Sequence, residues 1–300
     1  MTVPRHAVGG TLALLVVVAG GRSAELQTPA ENAMTQQREI FAESDAYERF
    51  MGRWSRQLAP LLVTFASVGE RDSVLDIGSG TGALAFAIAE TRPSARVTGV
   101  DPSTAYVRYA QARTSGDRVR FQVGDAQELQ LPDATFDKTL SLLVMNFIPD
   151  PAKALGQMIR VTRPGGIVAA AVWDYGDGME MLRVFWDEAV ALDPSIDARD
   201  ERHMPLCRRG ELAALWNAQG LRHVEEQPIA VELSFASFDD YWSPFLGGQG
   251  PAGAYAASLS DTARAALESG LRKRLLGDRR EGAFTLEARA WAVKGVVPAR

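Results

Sequence analysis

The run Val74-Leu75-Asp76-Ile77-Gly78-Ser79-Gly80-Thr81-Gly82 constrains this chain more than any other stretch. A short apolar segment ending in an acid leads into a turn with glycine at alternate positions, and the apolar run Ala83 to Ala89 follows directly. Strand, glycine turn and helix in that order are how a parallel α/β sheet builds a ligand pocket at the carboxyl end of a strand. Without a Cβ the backbone can turn tightly and a ligand can approach the peptide plane. The pattern points to an adenosine-containing ligand without choosing one. Gly78-x-Gly80-x-x-Ala83 also satisfies the dinucleotide pattern G-x-G-x-x-[GA].

Three acids narrow the choice. Ala95 to Asp101 reads as a second strand whose last residue falls 19 positions after Gly82. A carboxylate there, with Pro102 beside it, can accept both hydroxyls of a ribose. The third strand, Val119 to Val123, runs into Gly124-Asp125-Ala126, which places another carboxylate where it can accept from an adenine amino group. Asp76 ends the first strand and is unfavourable beside a doubly charged pyrophosphate, whereas it suits a cation. S-adenosylmethionine carries a sulfonium and an ammonium and no phosphate, so three carboxylates around one cleft favour it over NAD. Two other readings stay open: an NAD(P)-dependent oxidoreductase, and a protein that binds S-adenosylmethionine without turnover.

These residues resemble the S-adenosylmethionine-dependent methyltransferases of the seven-strand Rossmann-like class, in particular the small-molecule group called type 11. The resemblance runs from about Tyr47 to Val297 and rests on VLDIGSGTG, the strand ending at Asp101, Gly124-Asp125-Ala126 and Arg163-Pro164-Gly165-Gly166. It implies a cofactor site formed by Asp76, Gly78, Ser79, Gly80, Gly82, Asp101, Pro102, Asp125, Ala126 and Ser141. Arg53, in the helical segment Tyr47 to Ser55, is the expected partner of the cofactor carboxylate. The implied reaction is displacement of the sulfonium methyl by an oxygen, nitrogen or carbon nucleophile of a small molecule. Asn146 and Trp173 are expected near that acceptor. No base stands out: Asn146-Phe147-Ile148-Pro149 occupies the place where many N-methyltransferases carry Asn/Asp-Pro-Pro-aromatic, leaving Asp174, Tyr175 and His203 as candidates.

The rest of the chain continues as a strand–helix alternation. The fourth strand spans Thr135 to Val144, a helix starts at Asp150-Pro151, and Ile167 to Trp173 has the length and apolarity of a buried parallel strand. Leu221 to Phe235 and Ala283 to Val296 close the sheet as an antiparallel edge. The expected architecture is α/β, a doubly wound and mostly parallel seven-stranded sheet of order 3-2-1-4-5-7-6, with a helical insertion at 236–282 before the last strand. That insertion carries Phe238, Tyr241, Trp242 and Phe245, then the glycine-rich stretch Gly247 to Gly253. Such a hinge with aromatics reads as a lid over a small apolar or aromatic substrate, with Trp242 and Phe245 touching it.

With 300 residues and 46% hydrophobic content, the chain can bury one full enzyme core. A net charge of −5 argues against a nucleic-acid partner, since phosphate backbones need clustered Lys and Arg. The single Cys207 excludes an intrachain disulfide, and His6, His203 and His223 have no metal-ligand spacing. Residues 1–33 stand apart from the catalytic domain, 34–300. Leu12 to Gly21, after a charged start, resembles a secretory signal and is too short to span a bilayer. The cofactor is made in the cytosol, so a cytoplasmic protein without stable membrane association is expected, with the upstream segment a wrong start; export or a membrane tether is the alternative. A chain beginning at Met34 is therefore expected to bind adenosylhomocysteine and melt at the temperature of any longer soluble form, measured by calorimetry; a loss of several degrees would make the segment part of the fold.

Overall fold

The computed structural model describes residues 44–299, so the signal-like segment 1–33 lies outside the described residues. The seven strands are β1 (Ser73–Ile77), β2 (Arg96–Asp101), β3 (Val119–Val123), β4 (Phe136–Leu142), β5 (Thr162–Trp173), β6 (Arg222–Phe235) and β7 (Phe284–Val296). They form one sheet of order β3-β2-β1-β4-β5-β7-β6, in which β7 alone runs antiparallel to both neighbours. This is the expected order. Its glycine turn follows the interior β1, and β2 and β4 lie on either side of β1 where the strand order reverses, the place where such sheets bind ligands.

The strand ends have local causes. β4 stops at Leu142, short of the expected Val144, because Leu143 adopts a left-handed backbone with φ +64° while its N–H bonds to Ala171 O at 2.7 Å. β5 is buried from Val168 to Trp173, and its three alanines, Ala169 to Ala171, leave room for the layers on either face. Among the described residues the sheet is accompanied by the helices α1 (Arg53–Phe65), α2 (Ala83–Thr91), α3 (Thr104–Ala112), α4 (Pro151–Val161), α5 (Glu180–Leu192), α6 (Glu211–Ala218), α7 (Phe238–Trp242), α8 (Gly250–Ser258) and α9 (Asp261–Leu276). Among the described residues, no helix is long and apolar enough to cross a membrane. A π-helical turn, Glu48–Gly52, precedes α1.

The insertion corrects the expected lid. Phe238, Tyr241, Trp242 and Phe245 are buried, and Tyr241 and Phe245 meet α5 instead of facing a substrate. The Phe245 ring stacks on Phe185 at 4.6 Å and meets Phe50 and Tyr241 at 5.0 and 5.3 Å. The Tyr241 hydroxyl donates to Met181 O at 3.0 Å, which satisfies its one polar atom. The aromatics read as substrate contacts are thus the internal core of the insertion. Phe245→Ala is expected to destabilise the protein by about 3 to 5 kcal/mol in urea unfolding, because no flexible neighbour can fill the void among stacked rings.

Candidate active site

At the carboxyl ends of β1 and β2 lies a cavity of about 170 Å3. It brings together Asp76, Gly78, Ser79, Gly80 and Asp101, five of the expected cofactor residues. The glycine turn takes left-handed backbone at Gly78 (φ +67°) and Gly80 (φ +51°). A Cβ at Gly78 would fall 2.4 Å from Val144 Cγ1, whereas one at Gly80 would meet nothing within 4 Å. Gly78 is fixed by packing against Val144, just past the end of β4, and Gly80 by its backbone conformation.

Asp101 shapes this turn from the next strand. Its Oδ2 accepts from the Gly80 N–H at 2.8 Å and its Oδ1 from the Ser103 N–H at 2.8 Å. Burial nevertheless pushes its carboxyl above the usual range, against those two bonds. Asp76 is the more extreme case at 1% exposure. Burial first, and then the neighbouring Asp101 charge, push its carboxyl up to about 8; the Ala85 backbone N–H pulls weakly the other way. Neither Asp76 oxygen has a hydrogen-bond partner of ordinary geometry, the Ala85 N–H making only a weak approach, and the Ser79 and Ser141 hydroxyls are buried without one. Among the described residues, no Lys, Arg or His lines the cavity. Buried polar atoms left unpaired around a glycine cradle are the lining a ligand rich in donors and positive charge completes.

The remaining expected residues lie elsewhere. Arg53 donates to Asp240 Oδ1 at 2.7 Å and stands over the Trp54 ring at 4.1 Å, outside the cavity. Helix geometry explains the correction, since Ser55 faces the cavity and a residue two places earlier points roughly 200° away. Asp125 is exposed and folded onto Gln127, whose N–H bonds to Oδ1 at 2.8 Å and holds the carboxyl below its usual range. Neither it nor Ala126 nor the exposed Pro102 lines the cavity. Gly82 caps the start of α2 at φ +94°, and Ser141 sits beside Ile77 on β4. Asn146 is buried and donates to Met204 Sδ at 3.5 Å, again away from the cavity.

Sequence reasoning missed the cover. The π-helical turn brings Tyr47 and Ser55 into the lining, and the Thr81 hydroxyl donates to the Glu48 carboxylate, which also pairs with Arg56. Tyr106 lines the same cavity, with its ring 5.5 Å from Tyr47. Tyr47 was quoted in the sequence as a helix start; its role in the lining depends on the helix widening by a residue there.

A second, smaller cavity of about 80 Å3 shares Tyr47, Leu143 and Phe147 with the first. Its other walls are Phe50, Met51, Trp173, Tyr175, Glu201 and Gln249-Gly250-Pro251. Trp173, expected from the sequence near the acceptor, lines this cavity. The positive φ of Leu143 falls at the junction of the two cavities, and strained backbone of this kind concentrates at functional sites. Glu201, 4% exposed, accepts from the Trp186 indole N–H. Burial chiefly, with Asp200 adding to it, pushes its carboxyl up to about 7, against the pull of the Trp186 bond and Arg183. The base candidates from the sequence fare differently. Asp174 is ion-paired with Arg289 at 2.6 Å, and His203 is an exposed residue facing Asp197 at 3.2 Å. Tyr175 lies in the second cavity, where burial and then the Glu201 charge drive its hydroxyl pKa well up, away from base duty.

Comparison with known proteins agrees with this architecture. A family model described as a methyltransferase domain matches residues 69–199. A malonyl-[acyl-carrier protein] O-methyltransferase of Geobacter sulfurreducens is 33% identical over 186 residues, 61% of this chain and 67% of its own length. An uncharacterised Mycobacterium tuberculosis protein is 32% identical over 116 residues, 39% of this chain, and the match spans only 42% of that relative. The phosphoethanolamine N-methyltransferase 2 of Haemonchus contortus, solved with S-adenosyl-L-methionine, superposes with a TM-score of 0.54 at 23% identity, covering 88% of this chain and 57% of that one, which speaks to fold alone. The chain belongs to the class I Rossmann-like methyltransferases.

The raised Asp76 pKa has a stability consequence. A carboxyl whose folded pKa lies above its unfolded value binds more protons folded than unfolded between those values, so stability falls as pH rises from about 4 to about 8. Asp76→Asn is expected to flatten this part of the profile and to be more stable than the parent at pH 8 by on the order of 2 kcal/mol, read from urea unfolding without ligand at pH 5 and pH 8.

Proposed function

We propose that this protein transfers the methyl group of S-adenosylmethionine to a small-molecule acceptor held in the second cavity. The observation that carries the reading is Asp76, a buried carboxylate without a hydrogen-bond partner of ordinary geometry, beside Asp101 in a cleft that, among the described residues, no cationic side chain lines. A dinucleotide would bring a pyrophosphate beside two acids that burial already disfavours in their charged form, whereas S-adenosylmethionine brings two positive charges that favour ionising them. Asp101 would hold the ribose hydroxyls while its own backbone bonds keep the glycine turn in shape, and Asp76 would meet the ammonium end. When bound, the cofactor supplies an electrophilic methyl carbon.

The chain's own contribution is mainly alignment. Tyr47, Leu143 and Phe147 form the wall common to both cavities, so groups occupying the two spaces are held side by side with little room for water. The relative named as an O-methyltransferase, 33% identical to this chain, supports methyl transfer as the reaction class.

Calorimetry with adenosylhomocysteine and with NAD tests this. Adenosylhomocysteine is expected to bind and NAD not to; the reverse result ends the proposal. Asp101→Ala is expected to weaken adenosylhomocysteine by about 2 to 3 kcal/mol, since two hydrogen bonds to a charged acceptor are lost and the Gly80 N–H is released.

A further inference from the structure

The second cavity contains more chemistry than its size suggests. Five of its walls are aromatic: Tyr47, Phe50, Phe147, Trp173 and Tyr175. Two of its residues carry polar groups a ligand could meet: Trp173, and Glu201, whose carboxylate already accepts from the Trp186 indole and the Ala252 backbone N–H and has lone pairs left for a further donor. Glu201 is a buried carboxylate with no hydrogen bond from the neighbouring Arg183, whose Nη2 lies within 2.8 Å of both Asp200 oxygens while its Nε and Nη1 have no partner. Trp173 is 1% exposed, and its indole N–H has no hydrogen-bond partner. One unpaired donor and one buried acceptor in the same small cavity describe the ligand group that satisfies both.

Each acceptor chemistry can be set against that pair. An ammonium would suit Glu201 but has no lone pair for the Trp173 N–H. A carboxylate would accept from Trp173 and meet repulsion from Glu201. A hydroxyl both donates and accepts. Flat rings on several sides favour that hydroxyl on an aromatic ring, through stacked and edge contacts.

Building on the methyl-transfer reading above, we infer that the acceptor is a neutral aromatic hydroxyl compound, with Glu201 accepting its O–H proton and Trp173 donating to its oxygen. The O–H bond breaks toward Glu201 and its electron pair stays on the oxygen. That oxygen then bonds to the methyl carbon as the carbon–sulfur bond breaks, and the pair from that bond remains on sulfur. The proton leaves Glu201 to solvent when the cavity opens. Glu201 is thereby a catalytic residue that position in the sequence concealed.

Charges facing Glu201 set the pH behaviour. Arg183 from α5 favours its charged form, while Asp200 disfavours it; Tyr175 stays neutral, and Cys207, also pushed toward its neutral form, adds no charge. A phenol should therefore bind more tightly as pH rises through the range where Glu201 loses its proton, and more weakly once the phenol itself ionises near pH 10.

The test titrates phenol, benzylamine and benzoate into the full chain, with and without adenosylhomocysteine, following tryptophan fluorescence and heat. Phenol is expected to bind in preference to the other two, with affinity rising about fivefold from pH 6 to pH 8. Glu201→Gln should remove that rise while leaving adenosylhomocysteine affinity unchanged, and Trp173→Phe should weaken phenol about tenfold at every pH below 10. Benzylamine or benzoate binding better than phenol, or Glu201→Gln keeping the pH rise, overturns the inference. If Glu201→Gln fails to fold, Trp173→Phe and the parent's own ligand order decide. Failure of the parent to bind adenosylhomocysteine counts against the methyl-transfer reading, and the phenol titrations without it still judge Glu201.

Discussion

Everything at the centre of this protein is organised around a carboxylate that the fold buries without a partner. Asp76 is the fourth residue of the interior strand β1, flanked by Gly99 of β2 and Leu140 of β4. An unpaired acid in that position costs stability, and the raised pKa expresses that cost. The surrounding structure supplies the compensation: strands bonded on both sides of β1, a buried apolar layer, and a glycine turn fastened by Asp101 before any ligand arrives. Because Asp101 holds the Gly80 and Ser103 amides, the cradle is shaped by the protein itself.

The two appendages to the sheet then divide the remaining work. The π-helical turn closes over the glycine loop through Glu48, whose carboxylate meets both Thr81 and Arg56. The insertion is anchored by its own aromatic core on α5, and it reaches the second cavity only through Gln249, Gly250 and Pro251. Gly248 and Gly250 both take left-handed backbone there, at φ +73° and +65°. The part of the insertion that touches the site is therefore its glycine turn, held in place by rings several residues away.

This division explains what could be read in the sequence. The strand order, the glycine turn and both strand-end acids follow from local patterns: apolar runs of strand length, glycines at fixed spacing, and an acid at the end of each strand. Side chains whose role depends on which way a helix faces were not legible. Arg53 and Ser55 sit two residues apart on one helix, yet one pairs with Asp240 and the other lines the cavity. Trp242 and Phe245 have the composition of a substrate face and the position of a core. Glu201 was hidden by its neighbours, because Asp200-Glu201-Arg202 looks like a solvated charge run. What buries it is the packing of Trp186 from α5 and the turn before α8, and no spacing in the chain announces those contacts.

The placement of charge also bears on how a methyl transfer in this site gains its rate. A sulfonium loses its positive charge as the methyl leaves, so a carboxylate placed beside the sulfur would hold the starting state more tightly than the transition state and slow the reaction. The wall shared by the two cavities carries no charged side chain: Tyr47, Leu143 and Phe147 meet there. The acids belong to one cavity or the other and not to the shared wall, Asp76 and Asp101 at the glycine turn and Glu201 in the second cavity, although the Asp101 charge reaches Tyr47. On the proposed reaction, Asp76 and Asp101 bind parts of the cofactor whose charge stays constant, which raises affinity without penalising the chemical step. Glu201 meets a group that becomes more acidic as its oxygen gives up electrons, so its interaction strengthens along the reaction coordinate. Acceleration then comes from alignment across an apolar junction, with one proton acceptor on the acceptor's side.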